Sequence, residues 1–481
     1  MQTLVTQRLP QDRGLSQEAL AAALIGAALF LYYVSPNFFL AGVATCFLVA
    51  AAWWRLDMAL LTVALTAPFY RFPKSLDLPF LTQTLDRAAA LEVSLAEYAL
   101  GVCVLAWAIR SVVSSPEKEA AAAVPGWRTH LTWLPPALLV LAAALSLPFT
   151  EHLRFALREF RVIVVEPAVY YFLLVQTLRT PRDVARFLYA FVALGVGVGV
   201  YSLYHYLFVG VVETADGVGR VLAVYHSPNA LALFLGRVIP VALAFGAAAL
   251  LLARSWPRAL LFAAASVPLF VGFYITFSRG AWLGIIAALA LILVLQVGRR
   301  ALFGLAGLAL LALLAIPFLP WERLFALTPL VQRLYVWEAA LAVLRDHPLT
   351  GVGMDNFLYY YPEYMLPQAA LEPDISHPHN LVLDFWLRLG ILGLAALVWL
   401  QHQFWSAAWR VWRSARTIDE KVLALALMAS MVDFLVHGLI DNSYFLIDLA
   451  YIFWATSALM TVLHIYRRSD DSPPAMAGAA R

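Results

Sequence analysis

The chain has 481 residues, of which 63% are apolar and only 13% charged, and its mean hydropathy is +0.78. Soluble domains run near ~45–50% apolar and ~25% charged, so no water-facing surface accommodates this side-chain set and the solvent is lipid. A disordered chain, a nucleic-acid binder and a secreted disulfide scaffold are excluded on the same ground. The net charge of +3 carries little meaning, because what matters in lipid is where each charge sits. Cys46 and Cys103 both lie in apolar runs and read as small buried hydrophobes.

A helix crossing the hydrocarbon needs about 20 mostly apolar residues, and only helices or closed barrels satisfy their backbone groups there. The apolar runs are continuous rather than alternating, which predicts an all-α polytopic membrane helix bundle. Taken in chain order, spans are expected at 18–34, 38–53, 56–70, 93–112, 132–149, 162–178, 184–209, 228–253, 259–277, 281–298, 301–319, 379–401, 421–440 and 444–465. That gives about 12–14 transmembrane helices, the lower figure arising because 38–53 and 56–70 are short enough to hold a tilted or re-entrant element. The first run has no small-residue cleavage site after it and reads as a membrane helix, not a signal peptide. Most of the 33 Lys and Arg fall in alternate loops that the positive-inside rule places in the cytoplasm, with both termini.

Residues 320–378 form one large outer loop, periplasmic in that orientation; its segment RLYVWEAALAVL reads as a helix, and a long ordered loop is usually functional. The segment at 114–126 is a plain linker. The expected organisation is 1–224, 225–465 and a tail at 466–481.

Charged groups in or beside spans are costly and point to function by default. Arg279, in SRGAWLG, sits at an outer span junction; it grips an anion with its planar fork of donors or snorkels to headgroups. Arg333 lies on the outer-loop helix, where Glu338 is close enough to pair loosely. His379 stands at the mouth of a span, as a base at neutral pH or as an interfacial group, and Asn380 offers a helix cap. Asp384 and Arg388 are four apart and read as a structural pair. Arg154, Arg158 and Arg161 make a basic stripe on one helix face, for headgroups or an anionic substrate, with Glu159 and Glu166 as possible partners. Tyr225 to Asn229, Arg237, and His437 with Asp441 read as packing or capping groups. His377-x-His379 lacks a placed third ligand, so no metal is expected. There is no Walker A sequence, no dinucleotide fingerprint and no Asp-rich cytoplasmic loop for a nucleotide sugar.

Three motifs in order resemble the O-antigen ligase family: Arg279-x-x-x-Leu283, then Arg333 followed by HPLTGVGMDNF at 347–357, then His379-Asn380 and Gly390-x-x-Gly393. The resemblance covers mainly 225–400; the first half matches only as generic membrane helices. It implies a GT-C-like bundle at the inner membrane. It also implies a donor glycan carried on undecaprenyl diphosphate and an acceptor that is lipid A core, another glycan or a protein hydroxyl. His379 would be the general base and Arg279 and Arg333 would hold the diphosphate, with Arg154, Arg158, Arg161 and Asn380 as weaker candidates. Transfer would be inverting, without a metal or other cofactor. A polymerase of the same family is the nearest alternative, and a transporter of lipid-linked glycans a more distant one, disfavoured because polar density sits at the outer face.

Overall fold

The computed structural model describes residues 12–77, 90–113, 126–213, 218–298, 328–369 and 374–471. The predicted span at 301–319, the linker at 114–125, the tail beyond 471 and the parts of the outer loop at 320–327 and 370–373 lie outside them.

Residues 1–123 form one compact unit. It holds α1 (Asp12–Val34), α2 (Phe38–Trp54), α3 (Leu56–Thr66) and α4 (Leu95–Val113), with an antiparallel hairpin of β1 (Lys74–Asp77) and β2 (Ala90–Val93) between α3 and α4. Asn37 starts α2 by accepting from the Leu40 amide at 2.9 Å, which satisfies one of the orphan donors of the first turn. At the other end of α1, the Lys74 ammonium donates to the carbonyls of Tyr32, Tyr33 and Ser35. A cation belongs there, where free carbonyls meet the negative end of the helix dipole.

Residues 124–481 form the second unit. Its helices are α5 (Gly126–Ser146), α6 (Leu153–Glu159), α7 (Glu166–Thr177), α8 (Pro181–Tyr204), α9 (Pro228–Leu251), α10 (Trp256–Tyr274), α11 (Arg279–Val297), α12 (Thr328–Asp346), α13 (Phe357–Tyr364), α14 (Leu381–Ser414), α15 (Ile418–Gly438) and α16 (Ile447–Asp471). A π-helical stretch, Phe160–Val165, joins α6 to α7 into one span. The other strands are β3 (Val212–Glu213) and β4 (Gly219–Arg220), a minimal hairpin. Cap chemistry marks the starts: Thr180 and Asp183 form a capping box on α8, Ser227 caps α9 and Thr417 caps α15.

About 81% of the described residues are helical, and eleven helices among them are long and apolar enough to cross a membrane. It is an integral membrane protein with an all-α polytopic bundle. Two expected spans, Phe38–Trp54 and Leu56–Phe69, are apolar but shorter than the rest. The span expected at 162–178 begins earlier, at Leu153, because the three arginines lower the hydropathy of a segment that is nevertheless helical. The span expected at 379–401 runs on to Ser414; at ~1.5 Å per residue this helix outlasts a hydrocarbon core of ~30 Å, and its extra turns are the polar, aromatic QHQFWSAAWRVWRS.

Burial separates the helices that hydropathy does not. The spans of α9, α15 and α16 are 83%, 78% and 89% buried, against 17% for α10 and 28% for α11. The first three are the centre of the unit, and the other two present apolar faces to lipid. Charge is paired at that centre. Arg237 of α9 meets Asp433 of α15 at 3.1 Å and donates to the Ser443 carbonyl. Gly236 and Gly284 make room, since a Cβ on either would collide with the Asp433 carboxylate.

Candidate active site

The site is assembled where α14 begins, α15 ends and α12 passes. Asn380 caps α14: its side-chain oxygen accepts from the amides of Val382 and Leu383, and its amide nitrogen donates to the Leu439 carbonyl at 2.9 Å. One residue thus starts α14 and ties that start to the end of α15. His379, just before it, has a φ of +51°, a left-handed conformation that is uncommon for a residue with a Cβ and that clusters at functional sites.

The turn after α15 carries Asp441, whose Oδ1 lies 3.0 Å from His379 Nδ1 and also accepts from the Asn442 amide at 2.9 Å. The other carboxylate oxygen faces the Arg333 guanidinium at 3.6 Å. Burial alone would raise the Asp441 carboxyl; the hydrogen bond and charge of His379, with His437 and Arg333, instead hold it well below the ordinary carboxylate range. Asp441 is therefore ionised and accepts only, so Nδ1 carries the shared proton. In a neutral ring that leaves the Nε2 lone pair open. The His379 side chain is 22% exposed while Asp441 is 5% exposed, so the imidazole is reachable and its partner is not.

His377 packs edge-on against His379, with ring centroids 4.3 Å apart. Its Nδ1 is buried with no hydrogen-bond partner among the described residues. Desolvation first, then the neighbouring charge of His379, push it well below the ordinary imidazole range. Among the described residues no three His, Cys, Asp or Glu side chains group as metal ligands.

Two further devices hold His379 in place. Arg388 is buried between Asp384 at 2.7 Å and Glu159, and also donates to the Ser376 carbonyl at 3.1 Å, which pins the irregular segment leading to His377. The expected Asp384–Arg388 pair thus exists, with Glu159 as a third member. Second, α14 is broken at Gly390, where φ is +65°. The Leu387 carbonyl accepts from the Val352 amide at 2.7 Å, and the Ile391 amide donates to the Leu349 carbonyl at 3.0 Å. The turn at Leu349 to Val352, with Gly351 at φ +63°, fills the gap in the helix. A Cβ on Gly390 would collide with the Leu349 carbonyl, and one on Gly351 with that of Leu387.

The remaining candidates fall as follows. Arg279 is exposed at the first position of α11, and the adjacent Gly280 packs on Ile440, which places the start of α11 against the turn that carries Asp441. Arg333 finds Asp441 rather than Glu338. Arg154 and Arg158 are exposed on α6, and Arg161 pairs with Glu166. No contact among the described residues joins them to His379, although α6 starts beside the loop, where the His152 ring packs on Tyr359. The role of Asp441 was missed by sequence reading. Its signal was an acid at the mouth of a span, indistinguishable in sequence from a cap.

Compared with known families, residues 264–398 match the family model described as O-antigen ligase. No curated protein matches the chain.

Proposed function

We propose, for a chain whose residues 264–398 match the O-antigen ligase family model, that it transfers a glycan from a lipid diphosphate to an acceptor hydroxyl. The donor is a glycan on undecaprenyl diphosphate, the acceptor is lipid A core, and the reaction runs at the outer face of the inner membrane with both termini cytoplasmic. That match supports an O-antigen ligase or polymerase-type membrane enzyme; the observation that carries the finer reading is the His379–Asp441 hydrogen bond with its open Nε2.

In this reading the acceptor hydroxyl oxygen attacks the anomeric carbon from the face opposite the diphosphate. The new C–O bond forms as the bond to the diphosphate oxygen breaks, which inverts the configuration. The hydroxyl proton passes to His379 Nε2, and the imidazolium so formed is stabilised by Asp441 across 3.0 Å. Negative charge builds on the departing diphosphate, where Arg279 and Arg333 stabilise it by charge-assisted bonds. Arg333 then serves both groups, since it also flanks Asp441. No metal or other cofactor takes part.

The test is glycan transfer by the purified protein in nanodiscs, from an undecaprenyl-diphosphate oligosaccharide to panels of lipid A core, glycan and peptide acceptors. Transfer to lipid A core that persists in EDTA is expected. His379→Ala should lose roughly 10²–10⁴-fold, and Arg279→Ala and Arg333→Ala roughly 10²–10³-fold each. Transfer to glycan alone would make the protein a polymerase. Donor binding that needs the arginines, without transfer to any acceptor, would make it a transporter.

A further inference from the structure

The second unit has a cavity far from His379. Its volume is about 140 Å³, and it lies between the starts of α8, α10 and α15 and the end of α9. α15 runs from this cavity to the turn that carries Asp441. Its 21 residues span ~30 Å at ~1.5 Å each, the thickness of a hydrocarbon core. The cavity therefore sits at the opposite membrane face from the site described above.

Three charges stand at its rim. Arg182, Arg258 and Asp419 occupy the first turns of α8, α10 and α15, and all three are exposed. None makes a hydrogen bond or an ion pair with a described residue. Unpaired guanidinium groups at a membrane face are ready donors to a phosphate, and three helix N-termini add positive potential to the same place. The floor is different in kind. Tyr189, Phe245 and Phe262 form a ring stack, with centroids 4.9 Å, 5.2 Å and 6.2 Å apart in the three pairings. Trp256, 68% exposed at the start of α10, has the interfacial position that tryptophan favours.

An occupant complementary to this cavity has an apolar body for the rings, a phosphate for two arginines and a cation for one carboxylate. A free phosphate lacks the first and third; a phosphoglycerol lipid lacks the cation. We propose that the cavity is a binding site for a zwitterionic phospholipid with a primary-amine headgroup. The phosphodiester lies between Arg182 and Arg258, the ammonium donates to Asp419, and the first methylenes of the acyl chains rest on the aromatic floor. This site is independent of the glycan-transfer reading and stands whether or not that reading does.

The experiment is native mass spectrometry of the full chain released from nanodiscs of equal phosphatidylethanolamine, phosphatidylcholine and phosphatidylglycerol, with and without added inorganic phosphate. The wild type should retain phosphatidylethanolamine over the other two by roughly fivefold, the worth of one interfacial charge-assisted bond. Asp419→Asn should abolish that preference while lipid is still retained. Arg182→Gln with Arg258→Gln should lose retained lipid of every class, with an unchanged melting temperature as the check on folding. The proposal is overturned if Asp419→Asn keeps the preference, if the double arginine variant retains as much lipid as wild type, or if inorganic phosphate displaces the lipid. Should the double variant fail to fold, Asp419→Asn decides alone, because its side chain is exposed and packs no core.

Discussion

At the scale of single residues, the site turns on how two histidines two positions apart come to differ. His379 is reachable and bonded to an ionised acid; His377 has a buried ring nitrogen with no partner among the described residues. The folded protein holds His377 well below 6.5, so it is neutral near pH 7 and leaves proton transfer to its neighbour. A linked stability effect follows. A histidine whose folded pKa is depressed stabilises the fold above its unfolded pKa of ~6.5, and that contribution is lost as pH falls through the window below. The loss amounts to up to about 1.4 kcal/mol per pH unit for one proton. Between pH 7.5 and 5.5 the melting temperature of the wild type should fall, and His377→Gln should flatten part of that fall; an identical slope in the variant would show that His377 is not held neutral. The sequence displayed both histidines at a span mouth, and it displayed the arginines. It did not display the dyad, because Asp441 is distant along the chain and only the packing of α14 on α15 brings it to Nδ1. Nor does any residue type announce the left-handed backbone at His379.

At the scale of elements, the break in α14 explains why two glycine-containing motifs far apart in sequence occur together. Gly390 opens the helix, and the Gly351 turn supplies the amide and the carbonyl that the opened helix lacks. The loop is thereby fixed to the same helix that presents His379. Gly390→Ala should cost about 2 kcal/mol or more, since a left-handed residue with a Cβ costs about 1–2 kcal/mol and the new carbon meets the Leu349 carbonyl. Transfer should fall with it as the loop detaches. Gly101→Ala is the control: its Cβ would meet nothing within 4 Å, in a helix where alanine is the better residue. Equal melting temperatures for the two variants would show that the break and its plug hold nothing. Sequence reading found both glycine motifs, yet a glycine inside a helical run looks the same whether it marks a break, a close contact or bare lipid-facing backbone.

At the scale of the whole molecule, hydropathy located the spans and could not rank them. The spans of α9 and α11 have mean hydropathies of 2.0 and 2.4, yet the first is 83% buried and the second 28%. Lipid and protein interior are both apolar, so composition alone does not tell one surroundings from the other. The better signal was charge. Arg237 and Asp433, each within a span, are paired at the buried centre, where a lone ion would be costly. Arg237→Met should destabilise by about 3–5 kcal/mol, because it leaves Asp433 buried and uncompensated, and adding Asp433→Leu should recover much of that loss. Reversible unfolding in detergent measures both; a double variant as unstable as the sum of the two singles would contradict the pairing.

The central claim is that His379 and Asp441 act as one catalytic unit. The direct measurement is the rate of glycan transfer by His379→Ala, Asp441→Asn and the double variant at saturating donor, each checked for folding by its melting temperature. If Asp441 works only by aiming and stabilising the imidazole, the double variant is no slower than His379→Ala alone. Losses that multiply, or a His379→Ala protein that transfers at the wild-type rate, would contradict the account.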